Sequence, residues 1–586
     1  MANKLQNSIS KFLKIFSKQP RILHIGNIAN NAYNNAKLLN NNGFDCDLIL
    51  HNYYHIMACP EWEDAEIIGK IDDFIRPNWT EVDLQGFKRP TWFAQGPLLL
   101  CVEYLKARRE GKKSLANKLW KELGIINLTI EKDLDKDIDN GKREKPNSIL
   151  KDSILRKYLL VKHAINFLVS SDNTIYKHIV NKFISLINKK RGFFWLAFLF
   201  LLPFVLIICI IIRSIGRLFH TLSSLEKSVA DSLNVKKINE KKFKDSYNER
   251  KYALINQFIK LFPDRQDVLT LKDFDDYFYK CSILNSLFEK YDLIIAYSTD
   301  AMFPLLINTK PYIAFEHGTI RDIPFENSPT GRFTALAYAE ADFVYLTNAD
   351  SLARINDLKI EKYVCGLHGF SPDNLKLRIK QAFDEDQKNP IPFMEKEIKY
   401  FFGPARQHWS SGSTSWCKGN DLVIKAVASL SKKLPGKFKV IFVEWGAEID
   451  LSKQLINDLG ITDYFIWVPQ MEKADLLRTY SLVDGIFDQF LIPCIGGITF
   501  EAIAIGNAPV ITLLDDENMK NFYGETIPLF NCSTATEIEM AMTTIITNPG
   551  EASRIAKNAH KWFLNHHSGE ILKRKLTEAI IESLNI

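Results

Sequence analysis

Two adjacent glycines, Gly496 and Gly497, follow a short β run (GIFDQF, 485–490) and lead into a helical pattern that starts near Thr499, with Glu501 in its first turn. The unpaired amides at such a start, around Gly496, Gly497 and Ile498, can hold a phosphate. Glycines there let a diphosphate approach the backbone closely, and Glu501 is suited to accept from both hydroxyls of a ribose. Upstream, FFGPARQHWSSGSTSWCKGNDLVIKA places Arg406 just past one strand and Lys418 just before a helix. Two cations facing the glycines would complete a pyrophosphate clamp that stabilises leaving-group charge without a metal. Taken singly, the glycines can be a tight turn, Glu501 a helix cap, and the cations solvated surface. Their presence in one domain is what joins them.

These residues need elements to hold them. The chain has 586 residues, which implies two to four folding units. With 46% hydrophobic and 25% charged residues it reads as globular, and a net charge of +6 is too mild for a nucleic-acid binder. Nine cysteines are spread singly, and no His or Cys cluster has metal-ligand spacing, which argues against a disulfide framework or a zinc site and for a reducing cytosol. Short β runs alternate with helical patterns, the sign of parallel sheets with crossover helices. One group lies at 21–26, 46–50, 292–298, 312–317 and 343–349; another, after a polar linker, lies at 399–404, 439–446, 464–469, 485–490 and 509–514. The expectation is an α/β chain of two Rossmann-like doubly wound domains facing across a cleft, over 21–385 and 395–565, with a C-terminal helix at 566–586. Ligands then bind beyond the carboxyl ends of the strands.

One run departs from this pattern. Phe193 to Ile212 is an uncharged apolar stretch of 20 residues, long enough for a bilayer core, inside a helix-leaning insertion at about 98–264. Lys189, Lys190 and Arg191 precede it and Arg213 and Arg217 follow, so both ends read as cytosolic. The strand CDLIL lies before it and DLIIAYS after it in one sheet, so a single crossing cannot fold. A re-entrant or surface-lying segment bent at Pro203 is expected, at the cytoplasmic face of a membrane. The N-terminal segment, 1–20, adds Ile9, Phe12, Leu13 and Phe16 on one amphipathic face, which can lie on an anionic surface or simply pack.

The C-terminal half resembles the donor domain of GT-B glycosyltransferases of the glycosyltransferase family 4 type. The resemblance rests on Arg406, Lys418-Gly419, Tyr480-Ser481 with Asp484, Gly496, and Glu501-Ala502 through Gly506 to Pro509-Val510-Ile511, in that order. It implies a retaining, metal-independent transfer from a nucleotide diphosphate sugar, with no separate cofactor, to a saccharide or lipid-linked acceptor of the cell envelope. One position departs: Pro493 stands where the family carries a glutamate that contacts the donor sugar. Sugar recognition would then fall to main-chain amides of Ile495 to Ile498, or to Asp488 and Gln489.

The N-terminal half resembles the family's acceptor domain more loosely. Gly26 and Asn27 end the first strand as a loop near the donor phosphates would, and His317 resembles the active-site histidine, with Glu316 its rival and Arg321 at the rim. An imidazole there can contact the sugar or position the acceptor. Two aromatic and charged loops, 51–64 and 87–97, offer His55, Glu61, Trp62, Arg89, Trp92 and Gln95 as lining of an acceptor groove, with plain packing the alternative. Two rival functions stay open: a nucleotide-sugar epimerase or hydrolase on the same architecture, and a membrane-tethered scaffold without catalysis, which Pro493 would suit.

Overall fold

The computed structural model describes residues 19–69, 71, 73–128, 241–366, 390–391, 393–410, 417–471 and 473–584. The apolar run at 193–212 and the amphipathic stretch from Ile9 to Phe16 lie outside them. Among the described residues no helix is long and apolar enough to cross a membrane. The chain divides into two compact units, Met1–Ile130 with Lys244–Ile586, and Glu131–Phe243; both sheets belong to the first.

The N-terminal sheet contains β1 (Arg21–Ile25), β2 (Asp45–His51), β3 (Phe93–Gly96), β4 (Leu293–Tyr297), β5 (Tyr312–Phe315), β6 (Phe343–Leu346) and β7 (Tyr363–Cys365). All its pairings are parallel, in the order β3-β2-β1-β4-β5-β6-β7. The second sheet contains β8 (Lys399–Gly403), β9 (Phe438–Val443), β10 (Phe465–Val468), β11 (Gly485–Phe487), β12 (Val510–Thr512) and β13 (Phe530–Asn531), also parallel, in the order β10-β9-β8-β11-β12-β13. Helices cover both faces, which is why β4 and β11 are buried throughout and read as unbroken apolar runs. In each sheet the order reverses once, between β1 and β4 and between β8 and β11. Chains leaving adjacent strands in opposite directions open a crevice at those two points.

Three strands, β3, β7 and β13, escape the sequence pattern. They are edge strands of four, three and two residues, too short for a period-2 signal, and only a neighbour in the sheet defines them. The stretch expected as loop at 87–97 therefore ends in β3, with Gln95 inside a strand.

The carboxyl end of the N-terminal sheet is stiffened by aromatics. Tyr297 pairs in register with Phe315, and Phe315 with Tyr345. Their rings stack at 4.5 and 4.6 Å between centroids, each pair worth about 0.5–1.5 kcal/mol beyond burial. The residues just after this ladder, Ser298 and Glu316, are thereby held to a rigid base. The C-terminal helix Gly569–Leu584 returns to this sheet, with Leu572, Leu576, Ala579 and Ile580 in the same core as Ile295, Phe315 and Tyr345.

Burial keeps several histidines neutral: it lowers His24 to about 3, His51 and His317 to about 4, and His567 well below the ordinary range. The unfolded chain binds these protons near pH 6.5 and the native one does not, so stability is lost as pH falls from 6.5 toward 4. His55 is lowered by burial as well, and Asp47, Asp300 and Glu316, raised by burial, act in the opposite sense, but three groups oppose five. The midpoint of urea unfolding should therefore drop steadily between pH 6.5 and 4.5; a midpoint that is flat or rises on acidification contradicts this balance.

Candidate active site

The second sheet's crevice is lined by the segments that leave β8 and β11. Past β8 come Pro404, Ala405 and Arg406, and the chain is then tied down by Gln407. The Gln407 amide donates to Trp445 O at 2.9 Å, and its carbonyl accepts from Glu448 N at 3.0 Å. The Glu448 carboxylate receives Ser410 N at 2.9 Å and Ser410 Oγ at 2.8 Å. Lys418 precedes the helix Asn420–Lys433, its own amide donating to His408 O at 2.6 Å. Its ammonium donates to Gln489 Oε1 at 2.5 Å. Burial lowers the Lys418 pKa first, Arg406 and Arg321 lower it further, and Asp488 opposes. Two further cations thus stand within electrostatic reach of Lys418, and one of them, Arg321, follows a strand of the other sheet.

Past β11, Asp488 closes the glycine loop. Its Oδ2 accepts from Thr499 N at 3.2 Å and Thr499 Oγ1 at 2.7 Å, which ties the strand end to the helix Gly497–Ile505. The helix starts two residues earlier than expected, at Gly497. A Cβ at residue 496 would lie 2.8 Å from Asp488 Oδ1 and collide with Oδ2, so only glycine fits. Helix-start amides lack intrahelical acceptors; with Thr499 taken by Asp488, those of Gly497 and Ile498 are the ones placed for an anion. Gln489 spans the loop from the other side, its Nε2 donating to Cys494 O at 2.9 Å and Cys494 Sγ at 3.1 Å. Asp488 and Gln489 therefore build the loop with the atoms that sugar recognition would have used. Glu501 is buried and ion-paired with Lys473 Nζ, from the start of the helix Lys473–Leu482, a partner that local sequence does not point to.

On the N-terminal side, Glu316 and His317 leave β5 directly. Glu316 is fully buried; its Oε2 accepts from Asn348 Nδ2 at 3.0 Å, while among the described residues Oε1 has no hydrogen-bond partner. Burial raises its pKa. His317 is lowered to about 4 by burial and then by Arg321, so its imidazole is neutral at pH 7. Its Nδ1 lies 3.3 Å from Asn31 Nδ2, which also donates to Ile28 O at 3.0 Å, so Nδ1 accepts and the ring proton sits on Nε2. Arg321 is paired with Asp350, Nη2 to Oδ1 at 3.0 Å. Arg321 and Lys418 both act on Cys494, so the loop 488–499 lies within electrostatic reach of Arg321. Asn27 is turned inward: its Nδ2 donates to Asn30 Oδ1 at 2.9 Å and Ala58 O at 3.0 Å, and its Oδ1 caps Tyr33 N at 3.1 Å.

The expected acceptor residues are brought together, but largely to one another. Arg89 forks onto Glu61 at 2.5 and 2.9 Å and reaches Gln95 Oε1 at 2.6 Å, and Gln95 Nε2 donates to Tyr53 O at 2.8 Å. His55 Nδ1 accepts from Met57 N at 3.2 Å, Trp62 packs on the small core around Ile56 and Trp79, and Trp92 stacks on Tyr33 at 5.3 Å. Asp300, two residues beyond the DLIIAYS run, is absent from the expected site residues. The rule that ligands sit just past strand ends points at it directly.

No family model matches this sequence, and no curated protein matches it. Among solved structures it is similar to Anabaena Alr3699/HepE in complex with UDP and glucose, at 17% identity over 52% of this chain and 82% of that one, with a TM-score of 0.40. It is also similar to the sucrose-phosphate synthase of Thermosynechococcus elongatus (14% identity, 52% and 78% covered, TM-score 0.37). A UDP-forming α,α-trehalose-phosphate synthase from Burkholderia xenovorans is a third (13% identity, 57% and 86% covered, TM-score 0.40). At these values the likeness carries no functional argument, and the residues of the site must supply it.

The two glycines should separate structure from binding. Gly496→Ala should destabilise by about 1–3 kcal/mol, because Asp488 is buried and cannot move aside. Gly497→Ala, with nothing within 4 Å of its Cβ, should leave the urea midpoint unchanged and weaken nucleoside diphosphate binding. Equal midpoints for the two variants would contradict this account of the loop.

Proposed function

We propose that the chain is a GT-B glycosyltransferase that moves a sugar from a nucleotide diphosphate sugar to a hydroxyl of a saccharide or lipid-linked acceptor at the cytoplasmic face of a membrane. The observation that carries the reading is the convergence of Arg406, Lys418 and, from the other sheet, Arg321, beside a helix start with two amides to spare. Such a group suits a diphosphate that gains negative charge as it leaves. Lys418 supports this best, because its hydrogen-bond acceptor is the neutral Gln489 and its charge is left for a ligand. Neutral His317, its ring oriented by Asn31 at Nδ1, suits the sugar side of the cleft. Retention of configuration follows the family 4 resemblance. Membrane attachment is supported by the apolar run Phe193 to Ile212 and its flanking Lys and Arg residues. A scaffold without catalysis is favoured by one feature, Pro493.

Arg406→Ala and Lys418→Ala should each slow turnover by an amount equivalent to about 2.7–4 kcal/mol, while folding is retained. Calorimetric titration with UDP, GDP and ADP, then assays with the matching glucose donors, checks this. Wild-type rates in both variants would remove the clamp, and nucleotide binding without any turnover would favour the scaffold.

A further inference from the structure

The N-terminal sheet has its own crevice, between β1 and β4, and the groups at its mouth have no part in the cation cluster. Gly26 ends β1 with φ +85°, and a Cβ there would collide with Asp300 Oδ2. Asp300 follows β4, where the chain turns sharply through Ser298 at φ +56°. This strained turn is pinned by a hydrogen bond between Ser298 Oγ and Thr319 Oγ1 at 2.5 Å, two residues past His317. Asp300 and His317 thus leave neighbouring strands whose last residues, Tyr297 and Phe315, are register partners.

The carboxylates at the other strand ends are occupied. Asp488 holds Thr499, Asp350 holds Arg321, and Glu316 holds Asn348 through one oxygen, its other being buried without a partner among the described residues. Among the described residues, neither a hydrogen bond nor an ion pair reaches the half-buried carboxylate of Asp300; its only charged influence is Lys280, on the helix Phe278–Phe288, which acts equally in sense on His51 at the end of β2. A half-buried carboxylate with no partner lowers stability and is retained where a ligand supplies the missing donor.

We infer that Asp300, at the mouth of the β1/β4 crevice beside Gly26, is the acceptor subsite, its carboxylate receiving a hydrogen bond from the acceptor hydroxyl that attacks the sugar. The inference rests on the transferase reading. The acceptor oxygen forms its bond to the anomeric carbon while the bond from that carbon to the diphosphate oxygen breaks, its electron pair staying with the diphosphate. The hydroxyl proton, already directed at Asp300, is taken up by its carboxylate as the new bond forms and is handed on to the departing diphosphate oxygen, so Asp300 ends the step ionised. The ligand class is a polyhydroxyl compound with no anion at the reacting end, since a phosphate or carboxylate there would be repelled.

The test uses the full chain, UDP-, GDP- and ADP-glucose as donors, and water or octyl glucoside as acceptor. Asp300→Asn should bind the free nucleoside diphosphate within about twofold of wild type, yet consume donor at least about 30-fold more slowly. Burial sets the Asp300 pKa at about 6, so wild-type turnover should fall below that pH as the carboxylate is protonated, and the residual turnover of Asp300→Asn should lack this acidic fall. Asp300→Glu should recover part of the rate. The urea midpoint of Asp300→Asn at pH 7 should match or exceed wild type, since an unpaired carboxylate is removed. Wild-type turnover with the same acidic fall in Asp300→Asn overturns the subsite alone. A wild-type chain that binds no nucleotide and consumes no donor overturns the transferase reading, and the subsite with it.

Discussion

Like charges gathered in a half-buried cleft repel one another, and the strand ends of both sheets are arranged around that constraint. Burial and then the charges of Arg406 and Arg321 press on Lys418, as its lowered pKa records. The compensation is uneven in a useful way. Arg321 has a carboxylate of its own in Asp350, whereas Lys418 is held by a neutral amide. Asp488, the nearest carboxylate to Lys418 in effect, is occupied with Thr499 and the closure of the glycine loop. The Lys418 ammonium is therefore held in place by a neutral acceptor, with its charge unmatched by an ion pair among the described residues.

The N-terminal half shows the opposite economy. Glu61, Arg89 and Gln95 satisfy each other inside one buried network, so residues that look like a binding surface by composition act as a rigid wall. Asp47 is likewise enclosed by Arg108, Arg109 and Tyr291 on the far side of the sheet. Against this background of paired charge, Asp300 and the open oxygen of Glu316 are exceptions, and both sit at carboxyl ends of central strands.

The two halves are joined by more than a linker. The helix Pro549–His567 packs on the second sheet's core through Trp562 and Phe563, and the next helix, Gly569–Leu584, enters the core of the first. His567 lies at the junction, buried among Phe500, Tyr523, Trp562 and Phe563, with Nε2 unpartnered among the described residues. Tyr523 packs against both cores. Aromatic packing of this kind holds the relation between the strand ends on which the cation cluster depends.

The long central strands, the helix after Gly496 and the cations Arg406 and Lys418 were all legible in the sequence. Apolar runs bounded by turn residues, and glycines at a strand-to-helix junction, are local signals that need no knowledge of the rest of the chain. The apolar run at 193–212 was equally plain as composition. What the sequence could not decide is which polar side chains remain available once folded. Glu501 reads as an open acceptor until Lys473, 28 residues away, is seen beside it, and Asp488 and Gln489 read as sugar ligands until the loop closes on them. Edge strands β3, β7 and β13 were hidden for the same reason, being defined by a neighbour rather than by their own residues. Hydrogen bonds and ion pairs are pairwise and short-ranged, so partners far apart in the chain choose each other only in the fold. Local patterning alone determines where strands and turns fall; tertiary structure decides which charges are spent and which are left to act.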